Sequence, residues 1–271
     1  MSQKIFVIDI ARCSGCYNCQ LACKDEHCGN DWTPYAAPQP LTGQFWCRVT
    51  EHVQGTIPKV KIHYISQMCA HCEKPECMAA CGLGAITRRD DGFVLIDPAK
   101  CAGCGACVSA CPYEAIYFND RLGIAQKCTG CTHLLDNGAK QPRCAEACPT
   151  DALIFGEEEE LKAQLAGAEP LIPGGKLWYK NIPGEFIGGT VYDPVDKEVV
   201  IGAECILTGE GKTYRTETDA YGDFWFRDLP RGGSYTLTIC AAGFQEKNFA
   251  AISTEKSVNL DDIPLEREKN S

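Results

Sequence analysis

The chain has little basic charge, few histidines and no long apolar run. Its 26 Lys and Arg stand against 36 Asp and Glu, a formal net charge of −10 with pI ≈ 5.0. Phosphate binding needs a basic surface, so the balance argues against a nucleic-acid partner. No apolar stretch approaches the ~18–20 residues that cross a bilayer, so direct membrane insertion is not expected. The first residues, MSQKIFVIDIARC, run straight into a cysteine motif without an n-region, an h-region or a cleavage site. The expectation is a chain that neither anchors itself nor directs its own export, although a signal-bearing partner can export it folded. Only five histidines occur, His27, His52, His63, His71 and His133. Neither a Gly-rich nucleotide loop nor a Ser/His/Asp set accompanies them, so no catalytic residue is expected and a stand-alone enzyme ranks lowest.

Cysteine, by contrast, is abundant: there are 20 in 271 residues. Sixteen fall into four quartets. Cys13, Cys16, Cys19 and Cys23 form C-x2-C-x2-C-x3-C, and Cys101, Cys104, Cys107 and Cys111 repeat that pattern. Cys69, Cys72, Cys77 and Cys81 form C-x2-C-x4-C-x3-C, and Cys128, Cys131, Cys144 and Cys148 form C-x2-C-x12-C-x3-C. The third and fourth quartets end in Cys-Pro, with Pro112 and Pro149. Three closely spaced thiolates suit three irons of one cubane, while the fourth, three residues on, reaches a different cluster. The sixteen are therefore expected to ligate four [4Fe–4S] clusters, a wire for single electrons. A disulfide framework belongs to short secreted domains and fits poorly here. Structural zinc uses two separated cysteine pairs, whereas three cysteines within seven residues fit a cubane better. Cys28 and Cys47 lie outside every quartet and read as free or buried thiols.

The cysteine region repeats beyond its cysteines. Ile8-Asp9-Ile10-Ala11-Arg12-Cys13-Ser14-Gly15-Cys16 matches Ile96-Asp97-Pro98-Ala99-Lys100-Cys101-Ala102-Gly103-Cys104. Each unit reads as a short strand, a cluster loop, one or two helical turns and a second strand. Ala85–Arg88 and Phe93–Ile96 flank Asp90-Asp91-Gly92, a hairpin signal. The fold expected is α+β: a double bacterial-ferredoxin-like cluster domain of two pseudo-symmetric two-cluster modules, then a small antiparallel β-sandwich. Such cluster domains have little apolar core, so metal bonds supply much of the folding free energy. Basic residues precede three quartets, Arg12, Lys100 and Lys127; a cation beside a cluster favours its reduced form, against the plain alternative of exposed charge. His71, inside a cluster motif, is expected to pack rather than to act as a base.

Spacing alone leaves two pairings open: neighbouring quartets, or the second with the third nested inside the first with the fourth. The pattern, with its long loop from Thr132 to Arg143, resembles the iron–sulfur subunits of the molybdopterin oxidoreductase superfamily, whose clusters are nested. The resemblance implies one cluster on Cys13, Cys16, Cys19 and Cys148 and its mate on Cys128, Cys131, Cys144 and Cys23. It likewise implies Cys69, Cys72 and Cys77 with Cys111, and Cys101, Cys104 and Cys107 with Cys81.

Composition changes after the clusters. The expected boundaries are a four-cluster domain over 1–165, a Gly/Pro-rich linker over 166–185, a sandwich over 186–265 and a tail over 266–271. Glu157 to Glu160 begin a short helical stretch through Leu165. Alternation in Tyr235, Leu237 and Ile239 against Thr236, Thr238 and Cys240 supports a sandwich of roughly seven strands. The stretch from Thr218 to Phe226, with Leu229-Pro230 and Tyr235 to Phe244, looks like a carboxypeptidase-regulatory-like domain, for which docking or packing is the economical role. A sandwich behind such a cluster module is similar to the small subunits of pyrogallol–phloroglucinol transhydroxylases. That likeness is carried by Cys23 to His27, Asn30-Asp31-Trp32, Gly55-Thr56-Ile57-Pro58, Cys69 to Cys77, Gln126-Lys127-Cys128 and His133 to Asp136. In that family the second and third quartets are eroded, leaving three clusters, whereas here all sixteen ligands stand.

The resemblance implies a non-catalytic electron-transfer subunit that serves a large catalytic subunit carrying the molybdopterin cofactor (Mo or W). The expected chemistry is on polyhydroxylated aromatics, as hydroxylase, dehydroxylase or transhydroxylase. A complete wire implies exchange with an external electron carrier or a membrane anchor. The alternatives are the wire of a respiratory reductase for arsenate, polysulfide or a sulfoxide, and a free-standing polyferredoxin. Alternation puts Cys205 inward with Leu207 and Cys240 outward, so the two cannot meet as a disulfide. Four free thiols suit a reducing cytoplasm; export with a twin-arginine-bearing partner is the competing expectation.

Overall fold

The computed structural model describes residues 3–268. The chain divides into two compact units, one of Met1–His52 with His63–Ile182 and one of Val53–Ile62 with Pro183–Ser271.

Unit one opens with strand β1 (Lys4–Asp9) and helix α1 (Asn18–His27), followed by hairpin strands β2 (Cys47–Thr56) and β3 (Lys59–Met68), whose tip belongs to unit two. Next come α2 (Glu76–Ala79), β4 (Ile86–Arg88), β5 (Val94–Ile96), α3 (Ala106–Ala110), β6 (Ile116–Asn119) and β7 (Ile124–Lys127). The unit ends with α4 (Thr132–Asp136), α5 (Arg143–Glu146), β8 (Leu153–Glu157), α6 (Lys162–Leu165), β9 (Ala168–Pro170) and β10 (Leu177–Lys180). Strand, cysteine loop, short helix and strand follow one another as expected, and β4 pairs antiparallel with β5 around Asp90-Asp91-Gly92.

The segment expected to be a linker, 166–185, instead carries two strands. The side chains of Ile5, Phe6, Val7 and Ile8 are buried, so β1 is covered on both faces and its polar backbone needs a partner along each edge. β8 pairs antiparallel with one edge and β10 parallel with the other, Phe6 opposite Leu177 and Asp9 opposite Lys180. β9 then closes on β10. The Gly/Pro-rich run from Pro170 to Gly175 is the turn between them. The helix expected from Glu157 begins only at Lys162, because Glu157 is held opposite Lys4 as the end of β8.

Unit two holds β11 (Glu185–Asp193), β12 (Glu198–Val199), β13 (Glu204–Gly209), β14 (Lys212–Glu217), β15 (Asp223–Leu229), β16 (Ser234–Cys240), β17 (Lys247–Ser253) and β18 (Val258–Pro264). They form two four-stranded sheets, β12-β11-β15 with β18 also on β11, and β14-β13-β16-β17. Eight strands replace the roughly seven expected, and the β11–β18 pairing is parallel rather than antiparallel. Ile187, Val191, Phe224 and Ile263 from one sheet share a buried cluster with Cys205, Leu207, Leu237 and Ile239 from the other. Cys205 points inward with Leu207, and Cys240 lies on the opposite face beside Glu246 at 3.7 Å. The expected tail is tied down: Arg267 bridges Phe244 and its guanidinium pairs with Asp193 and Asp196. Residues 269–271 of that tail lie outside the described residues.

The hairpin tip is bound into this unit by a buried cation. Lys59 is 3% exposed; its Nζ lies 2.7 Å from Asp223 and 5.3 Å from the Trp225 ring centre. Thr190 donates to the same carboxylate at 2.6 Å. Burial alone would raise the Asp223 pKa, but Lys59 and Thr190 override it and hold the carboxyl below its ordinary value.

Candidate metal centres

The cysteine loops turn in left-handed backbone. Gly103 and Gly130, each just before the second cysteine of its quartet, have φ of +70° and +66°. A Cβ at Gly103 would press into the Gly123 carbonyl, and one at Gly130 into the Phe93 ring. Glycine is what lets the loop fold back so that both flanking thiols face one side.

The thiols gather in four groups, which cross between quartets. Burial pushes the Cys13 thiol up against the Gly15 N–H, and Cys19, Cys148 and Cys16 add to the rise. Cys148 thus stands with the first three cysteines of the first quartet. Cys23 is pushed well up by burial and then by Cys47, Cys128 and Cys131. Cys144, pushed up to about 11, is lowered by contact with Cys47 but raised by burial, Cys131, Cys23 and Cys128. Cys72, also at about 11, responds to burial and then to Cys69, Cys77 and Cys111. A cavity of about 370 Å³ is lined by Cys72, Cys77 and Cys111 with Pro112. A smaller one is lined by Cys81, Cys101, Cys104 and Cys107.

These groups form a series. Cys47 is buried between the first two: its Sγ lies 3.3 Å from Ser66 Oγ, which is 3.7 Å from Cys19, and contact with Cys144 is the largest influence on its raised pKa. Cys128 of the second group feels Cys69 of the third, and Cys107 of the fourth feels Cys77 of the third. Cys16 and Cys104, at the two ends, are exposed. No local pattern in the sequence marks this position for Cys47, because it depends on β2 lying beside β3, which carries Ser66.

The donor sets fit an iron–sulfur cubane. All four are thiol-only, the donor chemistry that such a cluster takes. Among the described residues, no three His, Cys, Asp or Glu side chains converge closely enough to hold a single metal ion. Backbone N–H groups of Ala115, Ala125 and Gly130 donate to Cys111, Cys101 and Cys128 at 3.5, 3.4 and 3.3 Å. Such bonds stabilise negative sulfur.

The histidines support the groups. His71 is fully buried and its Nδ1 accepts from the Val94 N–H at 3.1 Å. His27, not singled out by the sequence, lies 3.8 Å from Cys131 Sγ; burial, aided by His133, lowers its pKa to about 3 and keeps it neutral. His133 contacts Glu26 at 3.0 Å. No helix among the described residues is long and apolar enough to cross a membrane.

Residues 60–158 match the 4Fe-4S dicluster domain, and residues 187–266 the carboxypeptidase regulatory-like domain. The chain is 36% identical to the pyrogallol hydroxytransferase small subunit of Pelobacter acidigallici, over 98% of this chain and 100% of that one. It belongs to the iron–sulfur subunits of the molybdopterin oxidoreductases. Two further relatives come from reductases. One is a chain of the anaerobic dimethyl sulfoxide reductase of Escherichia coli, 39% identical over 61% of this sequence and 80% of its own. The other is a subunit of the tetrathionate reductase of Salmonella typhimurium, 35% identical over 49% of each. As an iron–sulfur subunit of this family, the chain transfers electrons.

Proposed function

We propose that the sixteen quartet cysteines hold four [4Fe–4S] clusters in nested pairs, and that the protein relays single electrons to or from a large molybdopterin-bearing subunit acting on a polyhydroxylated aromatic. The observation that carries the reading is the serial order of four all-thiol groups, with Cys16 and Cys104 exposed at its ends. A bound cubane accepts or gives one electron at a time. This chain's residues fix the spacing of the groups, bury the inner ones and donate hydrogen bonds to their sulfurs.

The substrate class rests on extent of likeness. The pyrogallol hydroxytransferase relative aligns over both units, whereas the dimethyl sulfoxide reductase relative covers 61% of the chain. A respiratory reductase is the second reading, favoured by the complete set of sixteen cysteines. That same completeness favours exchange with an external carrier. The two-sheet unit reads as a β-sandwich that docks the large subunit, and the four thiols outside the quartets favour the cytoplasm.

Purification of the native complex without oxygen tests the proposal. A large chain carrying Mo or W should co-purify, and adding a trihydroxybenzene or its product to the complex should change the clusters' redox state. A complex without Mo or W, or clusters that respond to a sulfoxide or tetrathionate but to no phenol, contradicts it.

A further inference from the structure

The three basic residues that precede quartets are not equivalent. The side chains of Arg12 and Lys100 are 48% and 62% exposed, near Asp151 at 3.5 Å and Asp97 at 3.3 Å. Lys127 is 2% exposed. It ends β7, and its Nζ donates to the carbonyls of Val94 and, at 3.1 Å, of Cys128. Both of those partners are dipoles, not carboxylates. An ammonium buried this way is costly unless negative charge stands close by. The cysteine loops supply the place for it: Nζ sits on the carbonyl of Cys128 of the second group, and Val94, its other acceptor, donates its N–H at 3.1 Å to His71, which lies between Cys69 and Cys72 of the third. On the four-cluster reading, each oxidised cubane with its thiolates carries about −2.

We infer that Lys127 is the cation that sets the reduction potentials of the two inner clusters, raising them above what their thiolates alone would give. An arriving electron takes a cluster from about −2 to about −3, with no bond broken and no proton required. A fixed cation favours the more negative state. Lying beside the loops of both inner groups, it favours the reduced form of each. The inference rests on the proposed four-cluster function.

The test uses the full chain prepared without oxygen, with iron counted first, then a redox titration followed by electron paramagnetic resonance. In Lys127→Met and Lys127→Gln, the reduction equilibria of both inner clusters should fall about tenfold or more, about 59 mV for one electron. Lys127→Arg should keep the parent value, and the two outer clusters should hold theirs. Unchanged potentials at full iron, or an equal fall in all four, overturn the inference. Iron loss from both neutral variants also overturns it, by assigning Lys127 to holding the fold. A parent chain without four clusters is a separate result that sinks the wire reading itself before any variant is compared.

Discussion

Replacing Cys111 by Ser is expected to destroy or degrade the cluster ringed by Cys69, Cys72 and Cys77, while the one ringed by Cys101, Cys104, Cys107 and Cys81 survives. Cys111 belongs by sequence to the third quartet, but its thiol lines the same cavity as Cys72 and Cys77. Cys81, the last cysteine of the second quartet, lines the other. Removing a thiolate strips one iron of its protein ligand, so the loss should fall on the cluster the sulfur reaches and not on its own quartet. Electron paramagnetic resonance of the reduced variant, with iron analysis, reads the outcome. Loss of the Cys101 cluster with the Cys69 cluster intact contradicts the crossing.

Asp223→Ala should cost unit two about 2–3 kcal/mol. Deleting one partner of a buried ion pair costs about 3–5 kcal/mol because the other charge is left buried, and partial exposure of Asp223 brings this case just below that range. Lys59 would keep the Trp225 ring but lose its carboxylate, and the Thr190 hydroxyl would lose its acceptor. Hydrogen exchange in β11 and β15 should rise accordingly, and Asp223→Asn, which keeps an acceptor for Thr190, should cost less. The folded-state pKa of Asp223 is depressed below 3.8. The stabilisation is therefore complete above the ordinary carboxylate value and is lost as pH falls through the lower folded value. Protection that is unchanged in Asp223→Ala would mean that the pair contributes nothing.

The sequence was most legible where spacing carries the chemistry. Four quartets name sixteen thiols, and the Asp90-Asp91-Gly92 turn names its hairpin. Crossing between quartets is a tertiary matter, since Cys13 and Cys148 come together only because β8 pairs with β1. Leu177–Lys180 was hidden in a Gly/Pro-rich stretch because its partner, β1, is some 170 residues away along the sequence, a separation that local pattern cannot see. The hairpin tip's place in unit two rests on Lys59 meeting Asp223, again at long range. Arg12, Lys100 and Lys127 occupy the same position before their quartets. Only packing separates them: β7 is buried along its whole length, which makes Lys127 an interior cation and leaves the other two at the surface.

Metal and acid-labile sulfide analysis of the chain, isolated without oxygen, tests the central claim most directly. Four thiol groups of four predict about sixteen irons and about sixteen sulfides per chain. Zinc in place of iron, or iron sufficient for only two clusters, would contradict the four-cluster wire.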